Sequence, residues 1–341
     1  MVCKVDPGRK SGSNSAMKCV LLADIGGTHA RFAVLSGNKL GLVRSLDVKT
    51  HPQVHDAIRH FLADDGGVGP IDEAILAVAG PVVSGRCVLT NSSWVADVTE
   101  LRHEFGFNAV RLVNDHEAAA WSLPHLTPSD TLLVGPGTGV HGAPLALLGP
   151  GTGLGMACYV PGPTGVRVVV SEGGHMTLAA TTEREAALIG VLRRQFAHVS
   201  AERVLSGPGL VNLYQAIASI DQVEVQPRTP AEVTRGALDE TCDTCRKALD
   251  SFVSFLGSVA GDVALLFGAQ GGVFVGGGIV PHIARCLATT DFRQRFEAKG
   301  RFRPYLAAIP VRIVLRRDTA FLGLTALARN AAVKLDGGDH V

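Results

Sequence analysis

The sequence is poor in charged and aromatic side chains. Charged residues make up 18% of the 341 positions and aromatic residues 5%, and the 32 basic side chains nearly balance the 31 acidic ones. The net charge of +1 supplies no positive field to attract a phosphate backbone, so we expect no nucleic acid among the partners. Hydrophobic residues still reach 46%, which excludes a disordered chain and predicts a globular protein of about two domains.

A disulfide framework and a secretory signal are also missing. The seven cysteines are odd in number and scattered, which suits a reducing cytoplasm. Residues 1–17 contain no apolar core of a signal peptide, and we expect them to form a disordered tail. Cys242-Asp243-Thr244-Cys245 has the spacing of a redox or zinc pair. No second pair accompanies it, so we interpret it as two cysteines at a helix start.

One uncharged run, Val263 to Pro281, is long enough to raise the question of a membrane span. Its six glycines and Gln270 make it a poor lipid-facing helix, and we therefore predict no membrane segment. The chain also contains no Gly-Lys pair, which excludes a Walker-type phosphate loop. Glycine itself is abundant, with 40 residues, and predicts many turns or ligand-binding loops.

Strand-like and helix-like segments alternate along the chain, which favours an α/β fold. The strand-like runs Lys18 to Asp24 and Arg31 to Ser36 flank a glycine turn. Further on, Ala143 to Leu148 and Met156 to Val160 flank a second glycine turn in the same way. The two halves of the chain therefore resemble each other, and Leu126 to Leu133 is the first candidate linker between domains.

Both glycine turns have the chemistry of a phosphate-binding hairpin. Gly26 and Gly27 let the backbone N–H groups turn toward an anion, Thr28 adds a hydroxyl, and Asp24 can hold a hydrated Mg²⁺ ion. The segment Gly151-Thr152-Gly153 offers the same backbone chemistry, so the pair could bind one polyphosphate. The alternative is that each is an ordinary turn.

Polar residues lie at three further places where a ligand is expected. Asn114-Asp115 follows a strand-like run at a helix start, and Asp115 could instead be only the helix cap. Glu172-Gly173-Gly174-His175 could bind paired hydroxyl groups of a ligand, could be a weak metal pair, or could be an exposed loop. Glu202, taken alone, is interpreted as one partner of a surface ion pair. The triple glycine Gly276 to Gly278 could let the backbone approach a flat nucleobase or could be only a packing turn.

Taken in order, six segments resemble the bacterial-type glucokinases of the hexokinase and actin-like ATPase superfamily. The resemblance runs from about Cys19 to the last helix, and its most specific part is His198 to Tyr214. The six segments are Ala23 to Thr28, Leu112 to Asp115, Gly151 to Gly155, Glu172 to His175, Ala201 to Leu210 and Gly271 to Pro281.

The resemblance implies a two-domain, ribonuclease H-like α/β fold that closes a cleft over ATP and glucose. It implies a small domain of residues 18–125 plus 318–341, a large domain of residues 126–317, Mg²⁺ bound with the nucleotide, no protein-bound metal, and a cytoplasmic homodimer. Asp115 would be the catalytic base in transfer of phosphate to the 6-hydroxyl. The implied glucose contacts are Asn114, Asp115, Glu172, His175 and Glu202, and the implied nucleotide contacts are Ala23, Asp24, Ile25, Gly26, Gly27, Thr28, Gly151, Thr152, Gly153, Gly276, Gly277 and Gly278.

Two positions depart from the family pattern. His29 stands where the family usually has Asn after the glycine turn, and His116 stands where an aromatic residue usually follows the Asn-Asp pair. The alternatives are a kinase for mannose or an N-acetylated hexose, a non-catalytic sugar-responsive regulator, and an actin-like filament protein. A regulator would need a DNA-binding segment, and no basic helix-turn-helix precedes residue 18.

Overall fold

The computed structural model describes residues 18–64, 70–90 and 92–336. The tail expected at residues 1–17 lies outside this described part. The chain divides into two compact units between Leu112 and Val113. The division into a small domain, 18–125 plus 318–341, and a large domain, 126–317, stays a prediction.

The first unit is built around one sheet whose two long strands form a hairpin. Its elements are β1 (Cys19–Ile25), β2 (His29–Ser36), β3 (Lys39–Leu40), β4 (Arg44–Asp47), α1 (Val54–Asp64), β5 (Glu73–Val78), β6 (Arg86–Val88), β7 (Val95–Asp97), α2 (Val98–Phe105) and β8 (Ala109–Asn114), which runs out of the unit. The sheet order is β3-β2-β1-β5-β8, with β4 paired to β2. β1 runs antiparallel to β2 and parallel to β5, and its side chains from Val20 to Ile25 are buried.

The second unit is larger and contains a second six-stranded sheet. Its elements are α3 (Asp115–Ser122), β9 (Thr131–Val134), β10 (Leu145–Pro150), β11 (Leu154–Gly162), β12 (Gly165–Ser171), α4 (Glu183–Leu192), α5 (Gly207–Asp221), α6 (Pro230–Leu238), α7 (Asp243–Phe267), β13 (Gly272–Val275), α8 (Val280–Thr289), α9 (Phe292–Glu297), α10 (Arg303–Ala307), β14 (Val311–Val314) and α11 (Thr319–Asp336). The sheet order is β12-β11-β10-β13-β14-β9.

The two sheets share one topology, which confirms the duplication that the glycine turns predict. Each has a three-stranded antiparallel part followed by strands added beyond the first strand, as in β12-β11-β10-β13-β14. The segment Leu126 to Leu133 leads into β9, which pairs with β14 at the sheet edge. Its role as a linker between domains stays a prediction.

The core of the second unit forms on one face of its sheet around the long helix α7. Ala146, Leu148, Val273 and Val275 pack in this core, whereas the alternate residues of the same strands reach the other face, where Leu123 lies. α7 is long and apolar enough to cross a membrane, but 67% of its most apolar window is buried inside the protein. The helix is therefore a core element, and the run Val263 to Pro281 is divided between α7, β13 and α8.

The helix α11 packs closely on α3. A Cβ atom placed on Gly323 would lie only 1.7 Å from the carbonyl oxygen of Ala118, so no larger residue fits between the two helices. Through this contact, α11 supports α3, the helix that begins at Asp115, inside the second unit.

Candidate active site

The glycine segment 151–153 forms the turn of the β10–β11 hairpin, as the sequence predicts. The N–H of Gly151 donates to the carbonyl of Gly153 at 2.8 Å. The N–H of Gly207, the first residue of α5, donates to the carbonyl of Gly151 at 2.8 Å. The first residue of α5 is therefore hydrogen-bonded to the turn. We call residues 151–153 the second glycine hairpin.

The triple glycine lies directly beside this hairpin. The N–H of Gly276 donates to the carbonyl of Leu148 at 2.8 Å, which continues the pairing of β13 with β10. Gly277 has a φ of +90°, and a Cβ atom there would lie 2.4 Å from the carbonyl oxygen of Pro150. The close approach and the positive φ both require glycine at this position. The structure therefore brings two of the predicted nucleotide segments together.

Asp115 is the first residue of α3, and the helix is capped by its neighbour. The side-chain oxygen of Asn114 accepts a hydrogen bond from the N–H of His116 at 2.9 Å, which makes Asn114 the N-cap. Oδ1 of Asp115 also accepts from this N–H at 2.9 Å. The alternative in which Asp115 is merely the cap is therefore wrong, and its side chain is 37% exposed.

His116 connects Asp115 with the strands β10 and β11, which flank the second glycine hairpin. Its Nδ1 lies 3.0 Å from Oδ1 of Asp115, and its ring lies over Gly149 and Gly155, where added Cβ atoms would be 2.8 and 1.9 Å from Nε2. The carbonyl of Gly149 lies close enough to the ring to favour its protonated form. Burial lowers the pKa of His116, but the bond to Asp115, its negative charge and the Gly149 carbonyl outweigh burial and raise the pKa above 6.5. The sequence identified His116 only as a departure from an aromatic pattern.

Glu172, His175 and Glu202 converge, as the sequence hypothesis requires. Nε2 of His175 lies 3.9 Å from a Glu172 oxygen, and Nδ1 lies 4.0 Å from a Glu202 oxygen. Gly173 and Gly174 are buried in the short turn that joins Glu172 to His175. The side chains of Glu172 and His175 are 81% and 61% exposed, so both are open to a ligand.

Glu202 also holds the second glycine hairpin. Its Oε2 accepts a hydrogen bond from the N–H of Leu154 at 2.9 Å, and a Cβ atom on Gly153 would lie 2.5 Å from the same oxygen. From the sequence alone, Glu202 was interpreted as one partner of a surface ion pair. Its contacts with the backbone at Gly153 and Leu154 differ from that interpretation. A cavity of about 370 Å³ lies beside Glu202 and His175, and its other lining residues are Gln195, Phe196, Ala197, His198, Ser200 and Arg203.

The first glycine hairpin, residues 24–28, belongs to the first unit and connects β1 to β2. The N–H of Gly26 donates to the carbonyl of His29 at 3.0 Å, and the carbonyl of Thr28 accepts from Val48 at 2.9 Å. Asp24 is buried and forms an ion pair with Arg31, its partner in the β1–β2 register. The described residues contain no group of three or more His, Cys, Asp or Glu side chains that could hold a metal ion.

Comparisons with known proteins show which proteins this chain resembles over most of its length. The family described as Glucokinase matches residues 21–331. The glucokinase of Paramagnetospirillum magneticum is 46% identical over 312 residues, which cover 90% of this chain and 97% of that protein. The glucokinase of Nitrobacter hamburgensis is 42% identical over 307 residues, covering 90% and 96%. The crystal structure of a glucokinase from an Antarctic psychrotroph matches with a TM-score of 0.85 and 35% identity, covering 92% of this chain and 99% of that one.

Proposed function

The chain belongs to the glucokinase family, and from that membership we propose that it transfers the γ-phosphoryl group of ATP to the 6-hydroxyl of glucose, with Asp115 as catalytic base. The fold supports this function, because the matched glucokinase structure covers nearly the whole chain. The observation that carries the role of Asp115 is its link through His116 to Gly149 and Gly155, which flank the second glycine hairpin. A carboxylate that can accept a proton and a turn that can bind phosphate therefore lie in the same region of the second unit.

Asp115 takes the proton of the sugar hydroxyl as that oxygen attacks the γ-phosphorus in line. Its Oδ1 accepts two hydrogen bonds from His116, so we assign proton transfer to Oδ2, the oxygen that has no hydrogen-bond partner among the described residues. His116 holds the carboxylate in one orientation. Correct orientation is where most of the acceleration in phosphoryl transfer originates.

The sugar hydroxyls bind to the converging side chains of Glu172, His175 and Glu202, with Asn114 at the start of α3. Two carboxylates and an imidazole can accept and donate the hydrogen bonds of adjacent hydroxyl groups. The short distances from His175 to both carboxylates support this assignment. The three residues thus fix the sugar while Asp115 acts on its primary alcohol.

The nucleotide phosphates bind to backbone N–H groups of the glycine segments. The residues assigned to this role are Ala23, Asp24, Ile25, Gly26, Gly27, Thr28, Gly151, Thr152, Gly153, Gly276, Gly277 and Gly278. Mg²⁺ bound with ATP would neutralise charge on the phosphate oxygens, and Asp24 would hold it through water. The protein acts in the cytoplasm as a homodimer, a proposal that rests on the family resemblance.

Substitution of Asp115 by Asn tests the proposed base. We expect the turnover number with glucose and ATP to fall by roughly 100- to 10,000-fold, because general base catalysis contributes about that much. Glucose affinity, measured by titration calorimetry, should stay near the wild-type value. Asp239→Asn, at an exposed site after α6, is the matched control. Normal turnover of the Asp115→Asn protein would remove Asp115 from the role.

A panel of hexoses with ATP in a coupled assay tests the substrate separately. We expect the highest kcat/KM with glucose, and a higher value with mannose or an N-acetylated hexose would contradict the proposed substrate. No phosphorylation of any hexose by the wild-type protein would contradict the enzyme class and favour a sugar-responsive regulator.

A further inference from the structure

Two cysteines meet at the start of the core helix α7. Cys242 is the N-cap of the helix, and its sulfur accepts a hydrogen bond from the N–H of Cys245 at 3.4 Å. The thiol of Cys245 also bonds to this sulfur. Both side chains lie against Gly236 of α6, where an added Cβ atom would be 3.2 Å from the Cys245 sulfur and 3.4 Å from Cβ of Cys242. The spacing of two residues thus places the sulfur atoms side by side.

The two cysteines differ in exposure and in proton affinity. Cys242 is partly exposed, whereas Cys245 is fully buried. Burial raises the pKa of Cys242, but the hydrogen bonds from Cys245 and the charge of Arg228 outweigh burial and hold the pKa below 9.0. Burial raises the pKa of Cys245 to about 12. The pair therefore combines a partly exposed cysteine whose pKa is lowered with a buried cysteine whose pKa is raised.

The positive charge beside the pair is that of Arg228. The Nε atom of Arg228 is buried and has no hydrogen-bond partner among the described residues. Asp243, the acidic residue between the two cysteines, forms ion pairs with Arg246 and Lys247. Arg228 interacts electrostatically with Glu232 and with both cysteines, so a thiolate at Cys242 would be stabilised by this positive charge and by the favourable end of the helix dipole.

We propose that Cys242 and Cys245 form a redox-active dithiol, which a low-molecular-weight disulfide such as oxidised glutathione converts to an intramolecular disulfide. A metal site is the alternative for this spacing, but the described residues place no third His, Cys, Asp or Glu ligand with the pair. The described cysteines are all thiols in the structure, so the reduced pair is the starting state.

The oxidation takes two steps. The Cys242 thiolate attacks one sulfur of the small disulfide, forms a mixed disulfide and releases one small thiolate. The Cys245 thiol then gives its proton to that thiolate and attacks the sulfur of Cys242, which releases the second small thiolate. This second thiolate takes up from solvent the proton that Cys242 lost on ionisation. Two electrons pass from the protein to the small disulfide, which ends as two thiols.

Oxidation of the full-length wild-type protein tests the proposal. The protein is equilibrated with mixtures of reduced and oxidised glutathione, quenched in acid, alkylated and mapped by mass spectrometry. We expect one disulfide between Cys242 and Cys245, with Cys158 and Cys286 still alkylated. A pair that remains reduced in oxidised glutathione, or a disulfide formed elsewhere instead, would overturn the proposal.

Two variants separate the roles of the cysteines. Cys245→Ser should leave glutathione trapped on Cys242, whereas Cys242→Ser should leave Cys245 unmodified. Glucose phosphorylation verifies that each variant is folded.

The alkylation kinetics of the wild-type protein test the same assignment without a substitution. At neutral pH, iodoacetamide should react with Cys242 at least about tenfold faster than with Cys286, whose pKa is raised. Equal rates, or no adduct on Cys242, would contradict the assignment.

The substitution Arg228→Gln tests whether the charge of Arg228 lowers the pKa of Cys242. We expect the alkylation rate of Cys242 at neutral pH to fall several-fold, because the thiolate loses its counter-charge. Arg235→Gln, on the exposed side of α6, is the matched control and should leave the rate unchanged. An unchanged rate in the Arg228→Gln protein would remove Arg228 from the site.

Discussion

The imidazole of His116 lies between the carboxylate of Asp115 and the carbonyl of Gly149. Nδ1 is 3.0 Å from Oδ1 of Asp115, and the nearby carbonyl of Gly149 also raises the pKa of the ring. Both neighbours carry negative charge or partial charge and therefore favour the protonated imidazole. The charged form of His116 is thus part of the folded arrangement around the proposed base.

Replacement of His116 by Phe should change how stability depends on pH. The pKa of His116 is raised in the folded state, so its stabilisation is complete below about pH 6.5 and is lost as the pH rises through the folded pKa. The difference in unfolding free energy between wild type and variant should therefore shrink above about pH 6.5. Denaturant titrations at several pH values measure it.

His125 is the control with the opposite sign. Burial and the charge of Arg329 lower the pKa of His125, so its contribution is present above about pH 6.5 and is lost as the pH falls. The difference in unfolding free energy between wild type and the His125→Gln protein should therefore shrink as the pH falls below about 6.5. The same pH slope in both variants would contradict the charged state assigned to His116.

Glu172→Ala should weaken glucose binding and leave ATP binding unchanged. A hydrogen bond to a charged group contributes about 1.5–3 kcal/mol, so we expect the KM for glucose to rise by roughly 10- to 100-fold. Steady-state kinetics with each substrate varied in turn measure the effect. Glu224→Ala, in the exposed segment after α5, is the matched control. An unchanged KM for glucose would exclude Glu172 from the sugar site.

Glu202→Ala should raise the KM values of both substrates. The carboxylate of Glu202 interacts with His175 and also accepts the N–H of Leu154, which follows the second glycine hairpin. Its loss removes a sugar contact and leaves a half-buried N–H without its acceptor, at a cost of about 1–3 kcal/mol. A rise in the KM for glucose alone would separate Glu202 from the hairpin.

Gly323→Ala should destabilise the protein by about 1–3 kcal/mol, because a methyl group overlaps the carbonyl of Ala118 and pushes α11 away from α3. Gly190→Ala is the matched control, since this exposed helical glycine has no atom within 4 Å of the added Cβ. Alanine there should stabilise α4 by about 0.5–1 kcal/mol. Thermal and denaturant unfolding measure both, and equal effects would contradict the packing assigned to Gly323.

The sequence predicts the long elements because their patterns are local. Strong apolar runs mark β1 and β10, each of which precedes a glycine turn. The short edge strand β9 and helices α8 to α10 were not identified. Their position depends on contacts with distant strands, and a few residues carry no period of their own.

The candidate site shows the same limit. The glycine turns and the Glu172 to His175 segment were identified because two or more informative residues lie together in sequence. His116 could not be assigned a contact, since its partners Gly149 and Gly155 belong to another hairpin. Glu202 was similarly ambiguous, because its interaction with Leu154 spans 48 positions.

The contact between Gly323 and Ala118 joins two helices that a ribosome produces at very different times. The helix that starts with the proposed base leaves the exit tunnel early, but its supporting helix is synthesised after nearly all of the second unit. A nascent chain that stops before α11 therefore exposes the apolar side of α3. Kinase activity can then develop only after α11 has been synthesised, and chains that terminate before this helix become substrates for chaperones and proteases.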